Sequence, residues 1–164
     1  MRWLSFYRSA PDHGQGSRYT QATFGYVVPA EAAGSGQEGV VDVGARSEFS
    51  TLREAIAADA LEQLVEQCGD QADLPLQGLH FAPTITDPKK ILCVGLNYKA
   101  HQEETGRGGE GVPTVFVRFA AAQMGHGEAM VRPRESASLD FEGEIAMIIG
   151  RGGRRITRQN AMNH

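Results

Sequence analysis

The sequence is poor in cysteine, in tryptophan and in long apolar runs: 164 residues hold two cysteines and one tryptophan. Cys68 and Cys93 lack metal-type spacing and are too few for a disulfide framework. That excludes a zinc-finger role and a disulfide-stapled secreted scaffold, and makes a reducing cytoplasm the expected compartment. No apolar stretch approaches the roughly 20 residues of a membrane-spanning helix. The opening MRWLSFYRSAPD has no signal-peptide core. A strong charge of either sign is missing too. Sixteen Lys/Arg against twenty Asp/Glu, a net of −4, give no general attraction for nucleic acid or an anionic membrane. What is plentiful is glycine, 20 residues, which implies turns and strands more than a helical bundle. A chain this long buries about 70% of its unfolded surface, enough for a true core.

Charge divides the chain. Residues 1–83 hold 5 Lys/Arg and 11 Asp/Glu, a net of −6, whereas residues 84–164 hold 11 and 9, a net of +2. The shift falls at FAPTITDPKK, where Pro83 and Pro88 flank a polar stretch that reads as a linker. The expected organisation is therefore a small domain over 1–83 and a second over 84–164. In the first, WLSFY, TFGYVV and GVVDV are β-branched and aromatic segments that predict an antiparallel meander. FSTLREAIAADALEQLVEQCGD then changes to helical period. Thr51 and Glu54 have capping-box spacing, Leu61, Leu64, Val65 and Cys68 form one apolar face, and Gly69 is placed to stop the helix. His13 lies in a polar Gly/Ser-rich loop and carries no chemistry of its own.

The second half opens with KILCVGLNY, a buried-type strand, followed by a short helix YKAHQEET that Gly106 would end. PTVFVRF and EAMVRP read as further strands, and LDFEGEIAMIIG is the strongest strand pattern in the chain. Thr157 has the place of an N-cap for a last helix, RQNAMNH.

Two pairs of residues carry candidate chemistry. On a strand, Glu142 and Glu144 would share one face, roughly 6.6 Å apart along the chain. Side by side on a buried strand, they repel unless a cation neutralises them, and all-oxygen ligation favours Mg2+, Mn2+ or Ca2+ over zinc. The alternative is an edge strand with two solvated glutamates. On a helix, His101 and Glu104 lie three apart on one face, where a carboxylate can orient an imidazole for proton transfer. The alternative there is an ordinary surface helix.

Taken in order, ILCVGLNYKAHQEETG, PTVFVRF, MGHGEAMVRP and LDFEGEIAMIIGRGGRRIT resemble successive blocks of the fumarylacetoacetate hydrolase superfamily, most closely its bacterial two-domain members. The resemblance runs from about Asp87 to the last residue, and the unit before it is similar to their small N-terminal domain. It implies an α+β, β-rich protein: a β-meander and helix domain followed by the first part of a mixed β-roll catalytic domain. It also implies a divalent metal, usually Mg2+ or Mn2+, and a small 2-oxo acid or 1,3-dicarbonyl substrate. Acylpyruvate-type C–C hydrolysis is the activity expected first, with isomerase or decarboxylase chemistry on an unsaturated dioic acid as the alternative. By this resemblance Glu142 and Glu144 are metal carboxylates and His101 with Glu104 is the water-activating dyad. Arg118 stands where many members have a substrate-side lysine, and homodimers are common.

The loop from Gly106 to Pro113, with Gly106, Gly108, Gly109 and Gly111, is a candidate lid, the alternative being a plain flexible connection. The family's third metal carboxylate has no counterpart, since no acidic residue follows Glu144. The expectation is thus of a truncated catalytic domain, inactive by itself or surviving as a dimerising remnant. Arg151, Arg154, Arg155 and Arg158 raise anion or nucleic-acid binding, but fit no phosphate-loop pattern and read as a solvated face.

Overall fold

The structure is a computed structural model that describes residues 1–9, 21–106 and 112–164. The described residues divide into two units, one formed by Met1–Thr86 with Met124–His164, the other by Asp87–Gln123.

The first unit is built on a five-stranded antiparallel sheet of β1 (Arg2–Tyr7), β2 (Thr23–Val28), β3 (Gly39–Val41), β4 (Leu74–Pro75) and β5 (His80–Phe81), in the order β4-β3-β2-β1-β5. The first three strands form the expected meander. Side chains alternate between faces along each strand, so each face has its own core. One side gathers Phe24, Tyr26, Val28, Val41 and Val43 against Leu52, Ala55 and Leu64, with Trp3 packed beside Phe24 and Tyr26. The other gathers Leu4, Phe6 and Val40 beneath Leu76, Leu79 and Phe81.

Four short helices accompany the sheet: α1 (Ala30–Ala33), α2 (Val43–Arg46), α3 (Leu52–Ala57) and α4 (Leu61–Cys68). Thr51 caps α3 by accepting from the Glu54 backbone N–H at 3.2 Å, as its spacing predicts. The returning Glu54 carboxylate takes the Ser50 N–H instead of that of Thr51. Gly69 follows α4 with φ of 67°. The Tyr26 hydroxyl donates to the carbonyl of Gly69, tying this helix end to the sheet. Burial pushes the Tyr26 phenol above its ordinary pKa, and burial likewise raises the Cys68 thiol.

Asp42 is the polar centre of this unit. It is buried, caps α2 through the Ala45 N–H at 3.1 Å, accepts from the Thr23 hydroxyl at 2.8 Å and receives Arg8 Nε and Nη2 at 2.6 and 3.0 Å. Donating these hydrogen bonds to Asp42 raises the pKa of Arg8.

The second unit is a hairpin of β6 (Ile91–Gly95) and β7 (Thr114–Arg118) with helix α5 (Lys99–Thr105). Both strands and the helix lie where the sequence predicts them, but β6 is not buried: Leu92 is 61% exposed.

Three expectations fail downstream. Residues 139–150, read as the strongest strand, have no regular structure, with Phe141 and Ile145 85% and 82% exposed. An apolar run on both faces specifies a strand covered on two sides and paired at its edges, and the described residues provide it neither neighbour. EAMVRP forms no strand for the same reason. The last helix is a 3-10 turn, Arg158–Asn163, and Thr157 makes no side-chain cap bond to it. The fold class is nonetheless as expected: α+β and β-rich.

Candidate active site

The dyad is assembled by one strand and one helix of the second unit. β6 ends at Gly95, the chain turns through Leu96–Tyr98, and α5 begins at Lys99. Residues three apart on a helix face each other across one turn. His101 Nδ1 accordingly lies 3.7 Å from Glu104 Oε2. That is an ion-pair separation, longer than a direct hydrogen bond. The two side chains are 44% and 81% exposed, so water competes for both. Nδ1 is the ring nitrogen turned to the carboxylate. The Thr105 hydroxyl donates to the His101 carbonyl at 2.9 Å and closes the last turn, and Gly106 ends the helix with φ of 63°.

Two residues outside the sequence-level candidates hold this junction. Leu96 has φ of 54°, and the Gln102 side-chain amide donates to its carbonyl at 2.5 Å. The only trace of this in the sequence is an amide six residues after a strand end, too common a spacing to read.

The other candidates are placed as follows. Arg118 ends β7 opposite Ile91, and its guanidinium donates to the Ala122 carbonyl at 3.2 Å. Gly108, Gly109 and Gly111 of the candidate lid lie outside the described residues, leaving Gly106 as the helix stop. Glu142 and Glu144 belong to the first unit and the dyad to the second. Both glutamates are exposed in the irregular segment, so the shared strand face expected for them does not form. Their carboxylates suit a hard cation chemically, but the described residues contain no group of three or more His, Cys, Asp or Glu able to hold a metal ion. Two exposed carboxylates do not by themselves complete the six or more oxygen ligands such ions take, so the residues as arranged do not fit a metal centre.

Residues 90–164 match the family described as fumarylacetoacetate (FAA) hydrolase, C-terminal. That segment is similar to the C-terminal domain of this family and makes up somewhat under half of the chain. Among curated members, the chain is 36% identical over 91 residues to the mitochondrial oxaloacetate tautomerase FAHD2A of Bos taurus, covering 56% of this chain and 29% of that protein. It is 38% identical over 80 residues to the mitochondrial oxaloacetate tautomerase of Xenopus laevis, covering 49% of this chain and 25% of that one. An uncharacterized protein of Archaeoglobus fulgidus is 34% identical over 95 residues, 58% of this chain and 38% of its own length. The chain thus spans well under half the length of these relatives. No solved structure matches it. No helix among the described residues is long and apolar enough to cross a membrane.

Proposed function

We propose that this chain carries the proton-transfer part of a fumarylacetoacetate hydrolase-type catalytic domain acting on small 2-oxo acids. The observation that carries the reading is the His101–Glu104 pair, 3.7 Å apart on α5, inside the segment that matches the family. Glu104 orients the imidazole, and Nε2 takes a proton from the carbon beside the substrate's 2-oxo group. Solvent supplies a proton to the carbonyl oxygen and the enol forms, while the imidazolium returns its proton to solvent; the reverse transfers restore the keto acid. A positioned base of this kind contributes about 10²- to 10⁴-fold to rate. Two relatives named oxaloacetate tautomerases favour this keto–enol interconversion.

The family description favours a second reading, acylpyruvate-type C–C hydrolysis. There the same Nε2 would take a proton from water, and hydroxide would attack the carbonyl. Glu142 and Glu144 are the carboxylates we assign to a Mg2+ or Mn2+ ion on the strength of the family resemblance. As arranged they do not build its site.

The test is a graft. This chain's residues 90–164 replace the matched segment of the bovine relative, and loss of oxaloacetate enol absorbance is followed beside acylpyruvate cleavage. The graft is expected to speed ketonisation, and His101→Ala to remove at least 100-fold of the effect. Equal rates with and without His101 would refute the assigned role. Acylpyruvate cleavage without tautomerisation would select the second reading.

A further inference from the structure

Helix α5 has little to hold it in place. It has seven residues, no side-chain N-cap and no buried residue. Helices this short are marginal in water unless something outside them fixes their ends. The chain entering it is also in an unfavourable state: Leu96, at φ of 54°, occupies the left-handed region, where the Cβ of an L residue crowds its own backbone. Such a conformation persists where neighbouring structure over-determines it.

We propose that Gln102 is a positioning residue for the dyad: its side-chain amide clamps the Leu96 carbonyl and so fixes the direction in which α5 leaves β6 and presents His101. Three observations converge on it. Gln102 Nε2 donates to the Leu96 carbonyl at 2.5 Å, while its own backbone N–H donates to the Tyr98 carbonyl at 3.0 Å, so one residue ties both the turn and the first helical turn. Gly95, immediately before Leu96, is the end of β6 and pairs with Thr114 of β7, so the clamp is anchored in a hydrogen-bonded ladder. Gln102 is the direct neighbour of His101, so releasing it frees the turn from which the imidazole projects. The inference rests on the proposed role of the dyad, but its structural part is independent of any activity.

The decisive measurement is NMR on the 164-residue chain with a double-mutant cycle. A left-handed residue gives an unusually strong intraresidue amide-to-Hα contact. In Gln102→Ala this signature of Leu96 should disappear, and the Cα shifts of residues 99–105 should move toward coil values, although alanine is the better helix former. Leu96→Gly accepts positive φ without strain. Leu96→Gly with Gln102→Ala together should therefore recover the helical shifts and the His101 ring signals.

In the bovine graft, Gln102→Ala should lower kcat about 10- to 100-fold with KM within about 2-fold, and the Leu96→Gly partner should restore it. Unchanged Leu96 and α5 signals in Gln102→Ala, or a double variant no better than Gln102→Ala alone, would overturn the clamp. Lost NMR signatures with unchanged kcat would overturn the positioning role of Gln102, whereas a His101→Ala graft as fast as the unmutated graft would overturn the dyad on which it rests.

Discussion

Removing the Asp42 carboxylate is the sharpest test of what holds the first unit together. In Asp42→Ala, α2 loses its N-cap acceptor, a change that costs about 1 kcal/mol. The Thr23 hydroxyl loses its acceptor in a buried place, which costs about 1–3 kcal/mol. Arg8 loses both of its contacts to the carboxylate, but its side chain is half-exposed and water replaces much of what it gives up, so this adds at most about 1 kcal/mol. These contributions sum to about 3 kcal/mol. At a urea slope of about 2 kcal/mol per molar, the midpoint should fall by about 1.5 M. Trp3 is the natural probe, because it is the one tryptophan of the chain and packs on Phe24 and Tyr26 in the same unit. Asp42→Asn keeps a capping oxygen and loses the charge, so it should fall between wild type and alanine. A loss below about 1 kcal/mol in Asp42→Ala, with unchanged slope, would show that solvent already satisfies these groups and would refute the reasoning.

Gly25→Ala should be more damaging than any surface change, because a Cβ there would lie 1.9 Å from the Val41 carbonyl oxygen across the β2–β3 ladder; a soluble, fully cooperative Gly25→Ala unfolding at the wild-type midpoint would contradict that packing. Stability should depend on pH on the alkaline side. The folded state raises the pKa of Cys68 and Tyr26, so it retains their protons where the unfolded chain releases them. Their contribution is complete below the ordinary thiol range and declines as pH rises above it, and Tyr26→Phe with Cys68→Ala should flatten the decline in urea titrations on the alkaline side. Calorimetric titration of the chain with Mn2+ should give no binding heat that Glu142→Gln abolishes; such a heat would show a metal site that the described arrangement does not build.

Local elements were legible in the sequence wherever their partners are also local. The meander pattern, the Thr51 cap, the Gly69 and Gly106 stops and the β6–α5–β7 order all follow from propensity and spacing, and each is satisfied by residues nearby in the chain. Residues 139–150 fail because their pattern describes an environment: a two-faced apolar strand is a statement about neighbours on both sides, and a strand has no hydrogen bonds of its own to fall back on. The dyad was readable because helical spacing alone brings His101 to Glu104. The face shared by Glu142 and Glu144 was conditional on the strand and vanished with it. The Leu96–Gln102 clamp was invisible because it depends on a backbone dihedral of a leucine, which propensity disfavours there.

The exposed segment around Ile145 has a consequence for handling the protein. Ile145–Gly150, IAMIIG, is six residues without charge or proline and rich in β-forming side chains, the composition that drives cross-β stacking between copies. It is bracketed by Glu144 on one side and Arg151 on the other. Charges at the flanks of such a window oppose self-association. The glutamate singled out for its chemistry therefore also keeps the chain dispersed, and Glu144→Gln should be checked for light scattering before any lost activity or binding is charged to the site.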